Sequence, residues 1–252
     1  MGRLNNRVAI VTGAAQGIGA AYAKAMAAEG ASVVVADRDD GQQVVDQIIK
    51  GGGTALNIVT DVSDETSCKA MADETIDAFG RIDILVNNAA LFGHLDAKPF
   101  EEISVDEWDA LMAVNVRGVF VAIKSVTGQM RKQQYGKIIN IASGTLFKGT
   151  PMLLHYVTSK GAVLAMTRCI SREVGDDNIC VNTLAPGLVM SENVLARDTF
   201  SDAGVDANTE TRALKRRQMP EDLTGAMIFL ASADSDFMTG QCVVVDGGSV
   251  NN

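Results

Sequence analysis

The chain has 252 residues, 47% of them hydrophobic and 21% charged, a balance too apolar for disorder and ordinary for a globular protein. Its formal net charge of −9 argues against a general affinity for nucleic acid or anionic membrane. No uninterrupted apolar run approaches the roughly 18 residues that span a bilayer, and no secretory leader precedes the first apolar run, so a cytoplasmic protein is expected.

From the N-terminus, strand-like and helix-like segments alternate. Val8 to Val11 is a short apolar run that meets a glycine-rich turn, and a helical stretch follows from about Gly17 to Glu29. Ser32 to Ala36 repeats the strand signal with three consecutive valines. Further apolar runs lie at Ala55 to Val59, Ile84 to Val86, Ile138 to Ile141, Ile179 to Leu184 and Cys242 to Val245. Between them, Cys68 to Phe79, Trp108 to Met130 and Tyr156 to Val174 have helical spacing. Runs that are apolar throughout, with no alternation, predict strands covered on both faces. Repeated strand–helix units then predict right-handed crossovers and a Rossmann-type, doubly wound, three-layer α/β/α fold with about seven parallel strands. No linker, repeat or low-complexity stretch divides residues 1–252, so one domain is expected. The least regular segment, about 187–219, is long and polar, and is expected to be a substrate loop past the end of the sixth strand.

The four cysteines are dispersed and read as small buried hydrophobes in a reducing compartment. Two histidines, His94 and His155, are too few for a metal site and read as incidental polar residues, with substrate contact the alternative. Lys215-Arg216-Arg217, the one basic cluster, reads as a solvated helix face.

Thr12-Gly13-Ala14-Ala15-Gln16-Gly17-Ile18-Gly19 joins the first strand to the first helix. Small residues there let the backbone turn sharply and approach a pyrophosphate, which would face the helix's unpaired amides and positive dipole end. A tight structural turn is the alternative. Asp37 ends the second apolar run, where a carboxylate would reach an adenosine ribose, with Arg38 beside it. Asp61-Val62 follows the third strand and suits an adenine edge, although Asp61 could equally cap a helix. Asn87-Asn88-Ala89-Ala90 closes the fourth strand. The chemical candidates lie further along. Ser143 follows the fifth strand, and Tyr156 and Lys160 are spaced i, i+4 on one helix face, a pair that in isolation reads first as an ordinary helix surface. A tyrosine with an ordinary pKa near 10 is a poor base. A lysine cation about 4 Å away, at an effective dielectric near 20, would contribute about 4 kcal/mol, enough to bring the phenol about three pH units closer to neutrality.

Taken together these motifs resemble the short-chain dehydrogenase/reductase family along essentially the whole chain. The family's T-G-x-x-x-G-x-G turn matches positions 12–19, and its N-N-A-G segment appears as Asn87-Asn88-Ala89-Ala90. Its Asn-Ser-Tyr-Lys tetrad matches Asn115, Ser143, Tyr156 and Lys160, its P-G turn Pro186-Gly187, and its late D-G-G Asp246-Gly247-Gly248. The resemblance implies that Asn115 bends a helix and holds a water in a proton relay with Lys160, while Lys160 also binds the nicotinamide ribose. It implies a dinucleotide site that includes Pro186, Gly187, Val189 and Ser191, and a homotetramer packed through the Trp108–Met130 and Tyr156–Val174 helices and the C-terminal strand. Ala90 replaces the usual Gly, and Ser191 the usual Thr beside the carboxamide.

The expected activity is hydride transfer between NAD(H) and a secondary alcohol or ketone. An NADPH-dependent ketone or 3-oxoacyl reductase and a non-catalytic dinucleotide sensor or scaffold are the alternatives. Asp37 and the neutral Gln16 disfavour NADP. The substrate loops offer Leu91, Phe92, Leu146, Phe147, Met152, Leu153, Leu154, Val189 and Met190, which predicts an apolar pocket with few charges for a cyclic, aromatic or alkyl alcohol. Core or subunit contact is the alternative for about half of them.

Overall fold

The structure is a computed structural model that describes residues 2–92, 95–195 and 202–250. One sheet of seven parallel strands has the order β3-β2-β1-β4-β5-β6-β7. Its strands are β1 (Val8–Thr12), β2 (Ser32–Asp37), β3 (Thr54–Val59), β4 (Ile84–Asn87), β5 (Gly136–Ile141), β6 (Ile179–Pro186) and β7 (Cys242–Val245). The helices are α1 (Gly17–Ala28), α2 (Gln42–Lys50), α3 (Glu65–Phe79), α4 (Val105–Met112), α5 (Val119–Gln133), α6 (Thr145–Lys148), α7 (Leu154–Glu173), α8 (Glu192–Leu195), α9 (Asp202–Glu210) and α10 (Glu221–Ala231). Chain order reverses between β1 and β4, which opens the crevice at the carboxyl ends of the strands where such sheets take ligands.

The unbroken apolar runs have a direct cause. Ala9, Val11, Val33 and Val35 point into a core shared with α1, α2 and α10. Their neighbours in sequence, Ile10 and Val34, point into a second core under α3, α5 and α7. Both faces of each strand are therefore buried, so neither parity can be polar.

The 29-residue stretch Val105–Gln133 is long and apolar enough, by length and composition alone, to cross a membrane. Here Val121, Ala122, Val126 and Met130 are buried in the second core. A π-helical segment, Ala113–Gly118, interrupts this stretch.

Several local expectations change. The irregular region after β6 contains α8 and α9, and a single bridge joins Val189 to Gln218. Lys215, Arg216 and Arg217 are solvated as expected but lie between α9 and α10, on no helix. Acids around them fix this turn: Arg216 is bidentate to Asp222 at 2.6 and 2.7 Å, and Arg217 reaches Asp206. Cys68 and Cys180 are buried, but Cys169 is exposed on α7. His155 is fully buried, with Nε2 3.3 Å from the Glu107 carboxylate, and does not line the crevice at the strand ends. His94 lies outside the described residues.

Candidate active site

The turn after β1 is built by close backbone approach. Gly13 and Gly17 have φ of +65° and +59°, where a side chain is strained. At Gly19 a Cβ would stand 2.1 Å from the Gly13 carbonyl oxygen, so only glycine lets the helix meet the turn. Thr12 fastens this turn to the end of β4. Its Oγ1 accepts from the amides of Asn88 and Ala89, each at 3.1 Å, and donates to the Val86 carbonyl. Asn88 returns the favour through Nδ2, which donates to the carbonyls of Thr12 and Gly13 at 3.0 and 2.9 Å. The N-terminus of α1 has no side-chain cap and no acidic residue in its first turn. Its amides and dipole are thus available to an anion, and the glycine cradle leaves room for one close to the backbone, so a dinucleotide pyrophosphate fits.

Asp37 sits at the end of β2 and accepts from the Ala15 amide at 2.9 Å and the Asp39 amide at 3.1 Å. The strand end and the glycine turn therefore hold its carboxylate at the cleft, with exposed Arg38 beside it. The two readings of Asp61 separate here. Asp64 caps α3, through the amides of Thr66 and Ser67. Asp61 lines the cleft, its carboxyl held below the usual range chiefly by hydrogen bonds from the Ser63 side chain and amide.

These residues surround a cleft of about 440 Å³. Gly13, Gln16, Gly17, Ile18, Gly19, Asp37, Arg38, Asp61 and Val62 line one end. Asn88, Ala89, Ala90, Pro186, Gly187, Val189 and Ser191 continue the wall, and Ser143, Tyr156 and Lys160 also line it.

At that chemical end, Ser143 Oγ accepts from the amide and hydroxyl of Thr145, at 3.3 and 3.0 Å, which leaves its own O–H to be donated. Tyr156 lies against Phe92, with ring centroids 4.8 Å apart. Lys160 Nζ donates to the Ile141 carbonyl at 2.9 Å and stands 5.6 Å from the centre of the Tyr156 ring. The expected lowering of the phenol pKa is absent in the protein alone. Burial pushes Tyr156 up to about 12, against a smaller opposing effect from Ser143, and pushes Lys160 down to about 8. The physical reason is that both groups lose water, while the ammonium is spent on a backbone carbonyl.

Asn115 is fully buried in the π-helical segment and does not line the cleft. Its Oδ1 accepts from the Leu91 amide at 2.7 Å, and its Nδ2 donates to the Leu91 carbonyl and to Ser159 Oγ. Ser159 Oγ in turn donates to the Tyr156 carbonyl at 2.7 Å. Asn115 thus links the loop after β4 to the helix that carries Tyr156 and Lys160.

The substrate wall departs furthest from expectation. Leu91, Phe92, Leu153 and Val189 line the cleft, but Leu146, Phe147, Met152, Leu154 and Met190 do not. On α6, Thr145 and Lys148 share the face toward the cleft, which turns Leu146 and Phe147 elsewhere. Met152 and Leu154 are exposed, and Met190 is buried in a small cluster with Val194 and Val205. In their place the cleft gains Lys148, Thr150, Asn208, Arg212, Asp246 and Ser249. Sequence reading passed over these polar residues because they come from a short helix, the irregular segment and the C-terminus. Asp246 alone carried a signal, as part of Asp246-Gly247-Gly248.

Comparison with known proteins agrees with this construction. A family model described as "Enoyl-(Acyl carrier protein) reductase" matches residues 13–250. An uncharacterised oxidoreductase of Mycobacterium tuberculosis is 42% identical over 98% of both chains. Cyclopentanol dehydrogenase of Comamonas sp. is 35% identical over 100% of both. The crystal structure of a gluconate 5-dehydrogenase from Burkholderia cenocepacia, in complex with NADP and tartrate, superposes with a TM-score of 0.90 at 35% identity, covering 98% of this chain and 96% of that one. With a family match that covers almost its whole length and relatives matched end to end, the chain belongs to the short-chain dehydrogenase/reductase family of oxidoreductases.

Proposed function

We propose that the protein transfers a hydride between NAD(H) and the carbinol or carbonyl carbon of a secondary alcohol or ketone whose body is apolar, ring-bearing or alkyl. The observation that carries this reading is the convergence of Ser143, Tyr156 and Lys160 at one end of a cleft whose other end is a glycine cradle. The apolar side chains of Leu91, Phe92, Leu153 and Val189 support the kind of substrate. A relative that acts on cyclopentanol supports it as well.

Residues from Gly13 to Gly19 would hold the pyrophosphate, Asp37 and Arg38 the adenosine ribose, and Asp61 and Val62 the adenine. Asn88, Ala89, Ala90, Pro186, Gly187, Val189 and Ser191 would hold the nicotinamide half. A bound nicotinamide dinucleotide supplies the ring that gives or takes the hydride. The chain's own part is to manage the substrate oxygen. Tyr156 donates its phenolic proton to that oxygen during reduction and accepts it back during oxidation. Ser143, beside the Tyr156 phenol, donates its O–H to the same oxygen and fixes the carbon in place. Lys160 supplies a charge near the phenol, and its remaining N–H groups are available to the ribose. Asn115 acts through Leu91 and Ser159 as a positioning residue. Asp37 supports NAD over NADP, although Arg38 at the cleft and a similar protein solved with NADP favour the second reading, an NADP-dependent reductase. A homotetramer is part of the proposal, supported by a mostly apolar groove on the outer face of α4, α5 and α7 formed by Met112, Ala113, Val116, Phe120 and Met166, with Asp109 and Arg117 also lining it.

A panel of cyclic, aromatic and aliphatic secondary alcohols, assayed with NAD at alkaline pH, tests the activity. Tyr156→Phe is expected to lower turnover by at least about 100-fold while NADH still binds. Near-wild-type turnover in a folded Tyr156→Phe protein removes Tyr156 from the mechanism.

A further inference from the structure

The cleft has two unlike walls at its chemical end. Leu91, Phe92 and Leu153 form an apolar one, whereas Lys148, Asn208, Arg212 and Ser249 bring polar and cationic groups to the same cavity. In a chain where acids outnumber bases by 31 to 22, most cations can find a carboxylate. Neither Lys148 nor Arg212 has a carboxylate oxygen within 4.0 Å among the described residues.

Arg212 is only 3% exposed. It donates to the carbonyls of Arg216 and Leu188 at 2.9 and 2.7 Å and to Asn208 Oδ1 at 3.1 Å, so dipoles and no counter-ion hold it, and its Nε has no partner. Asp246 and, further off, Asp222 act on it from beyond ion-pair distance; Asp246 Oδ1 accepts from the amides of Gly248 and Ser249, and its Oδ2 is buried without a partner. Lys148 stands at the mouth, where Nζ donates to Thr211 Oγ1 at 3.2 Å and to Ser249 Oγ. These contacts lean its ammonium across from α6 toward the opposite wall. Lys148, Arg212 and Asp246 sum to one net positive charge, and the more distant Arg216 and Asp222, paired with each other, cancel. A buried guanidinium without a close counter-ion is unfavourable unless something brings negative charge when the site is in use.

We infer that this wall binds a carboxylate of the substrate. Lys148 makes the direct contact, and the buried Arg212 adds attractive field behind it. Resting on the alcohol/ketone reading above, the substrate class becomes a hydroxy acid and its oxo counterpart. The apolar body lies against Phe92 and Leu153, and the carboxylate stands several bonds from the reacting carbon, since Lys148 is the last residue of α6 whereas Ser143 precedes that helix.

The test is binding of two non-reacting probes of one shape, cyclohexanecarboxylate and cyclohexanecarboxamide, measured calorimetrically on the full chain. The wild type is expected to bind the carboxylate at least about tenfold more tightly, with the advantage shrinking as salt rises from about 50 to about 500 mM. Lys148→Met should reduce the ratio to about threefold or less, Lys148→Arg should keep most of it, and the remote Lys69→Met should leave it intact. Lys148 is exposed, so its replacement does not threaten the fold. Equal affinities in the wild type, a preference that survives Lys148→Met, or binding of neither probe would overturn the inference. The alcohol/ketone reading stands or falls separately, on whether NAD is reduced by any secondary alcohol.

Discussion

Tyr156 and Lys160 carry opposite shifts from one cause. Burial raises the phenol to about 12 and lowers the ammonium to about 8, because each favours its uncharged form away from water. At neutral pH Tyr156 is therefore protonated and ready to donate, while Lys160 is still charged. Ketone reduction needs the protonated phenol and should be flat from about pH 6 to about pH 7, then decline through about pH 8 as Lys160 loses its charge. Alcohol oxidation needs Tyr156 to accept a proton, and its kcat/KM should climb with pH through the same range. An oxidation profile that is fastest on the acid side would exclude Tyr156 as the base. Asp37 sets a second expectation. Its carboxylate is pinned by the Ala15 amide, so it cannot swing away from a ribose phosphate. Two like charges about 4 Å apart at an effective dielectric of 20 repel by about 4 kcal/mol, and half of that is about a 30-fold preference. We expect NAD to exceed NADP by at least about tenfold in kcat/KM, and Asp37→Ser to narrow the gap by improving NADP. Equal wild-type activity with NADP would assign control to Arg38.

Among the elements, the β1–α1 turn is the one that tolerates least. A methyl group at Gly19 would meet the Gly13 carbonyl oxygen at 2.1 Å and Asn88 Nδ2 at 2.6 Å. The first is backbone and cannot move without breaking the turn. Gly19→Ala should thus cost about 1–3 kcal/mol of stability and weaken dinucleotide binding together. Gly225, exposed in α10, has nothing within 4 Å of its hypothetical Cβ. Gly225→Ala should instead raise stability by about 0.5–1 kcal/mol, since only backbone entropy changes. Thermal melts of the two variants check both signs. The contrast also separates what was legible in the sequence. Gly13, Gly17 and Gly19 could be read as a turn from spacing alone, because the approach they permit is local. The π-helical segment around Asn115 could not be read from spacing; the family resemblance alone implied a bend there, and the Asn115 side chain reaches Leu91 in another part of the chain.

For the whole molecule, the outer face of α4, α5 and α7 leaves Phe120 48% exposed beside Met112, Val116 and Met166. An apolar groove of this kind is where the proposed tetramer would close. Sedimentation should give a mass four times that of the 26.6 kDa chain, and Phe120→Asp should shift it toward smaller species. A wild-type mass of one chain would remove assembly from the proposal. The sequence by itself determined the layered fold, because strands buried on both faces must be apolar at every position, and that pattern survives without coordinates. Spacing and the family resemblance together pointed to the glycine turn and to Ser143, Tyr156 and Lys160, all of which line one cleft. Only the packed chain shows which side chains of the expected substrate loops line the cleft. Phe147, Met152 and Leu154 turn away, while Lys148 and Arg212 turn in, and they come from segments whose side-chain directions follow no period. There the direction is set by partners distant in sequence, Leu188 for Arg212 and Ser249 for Lys148, which no local pattern encodes.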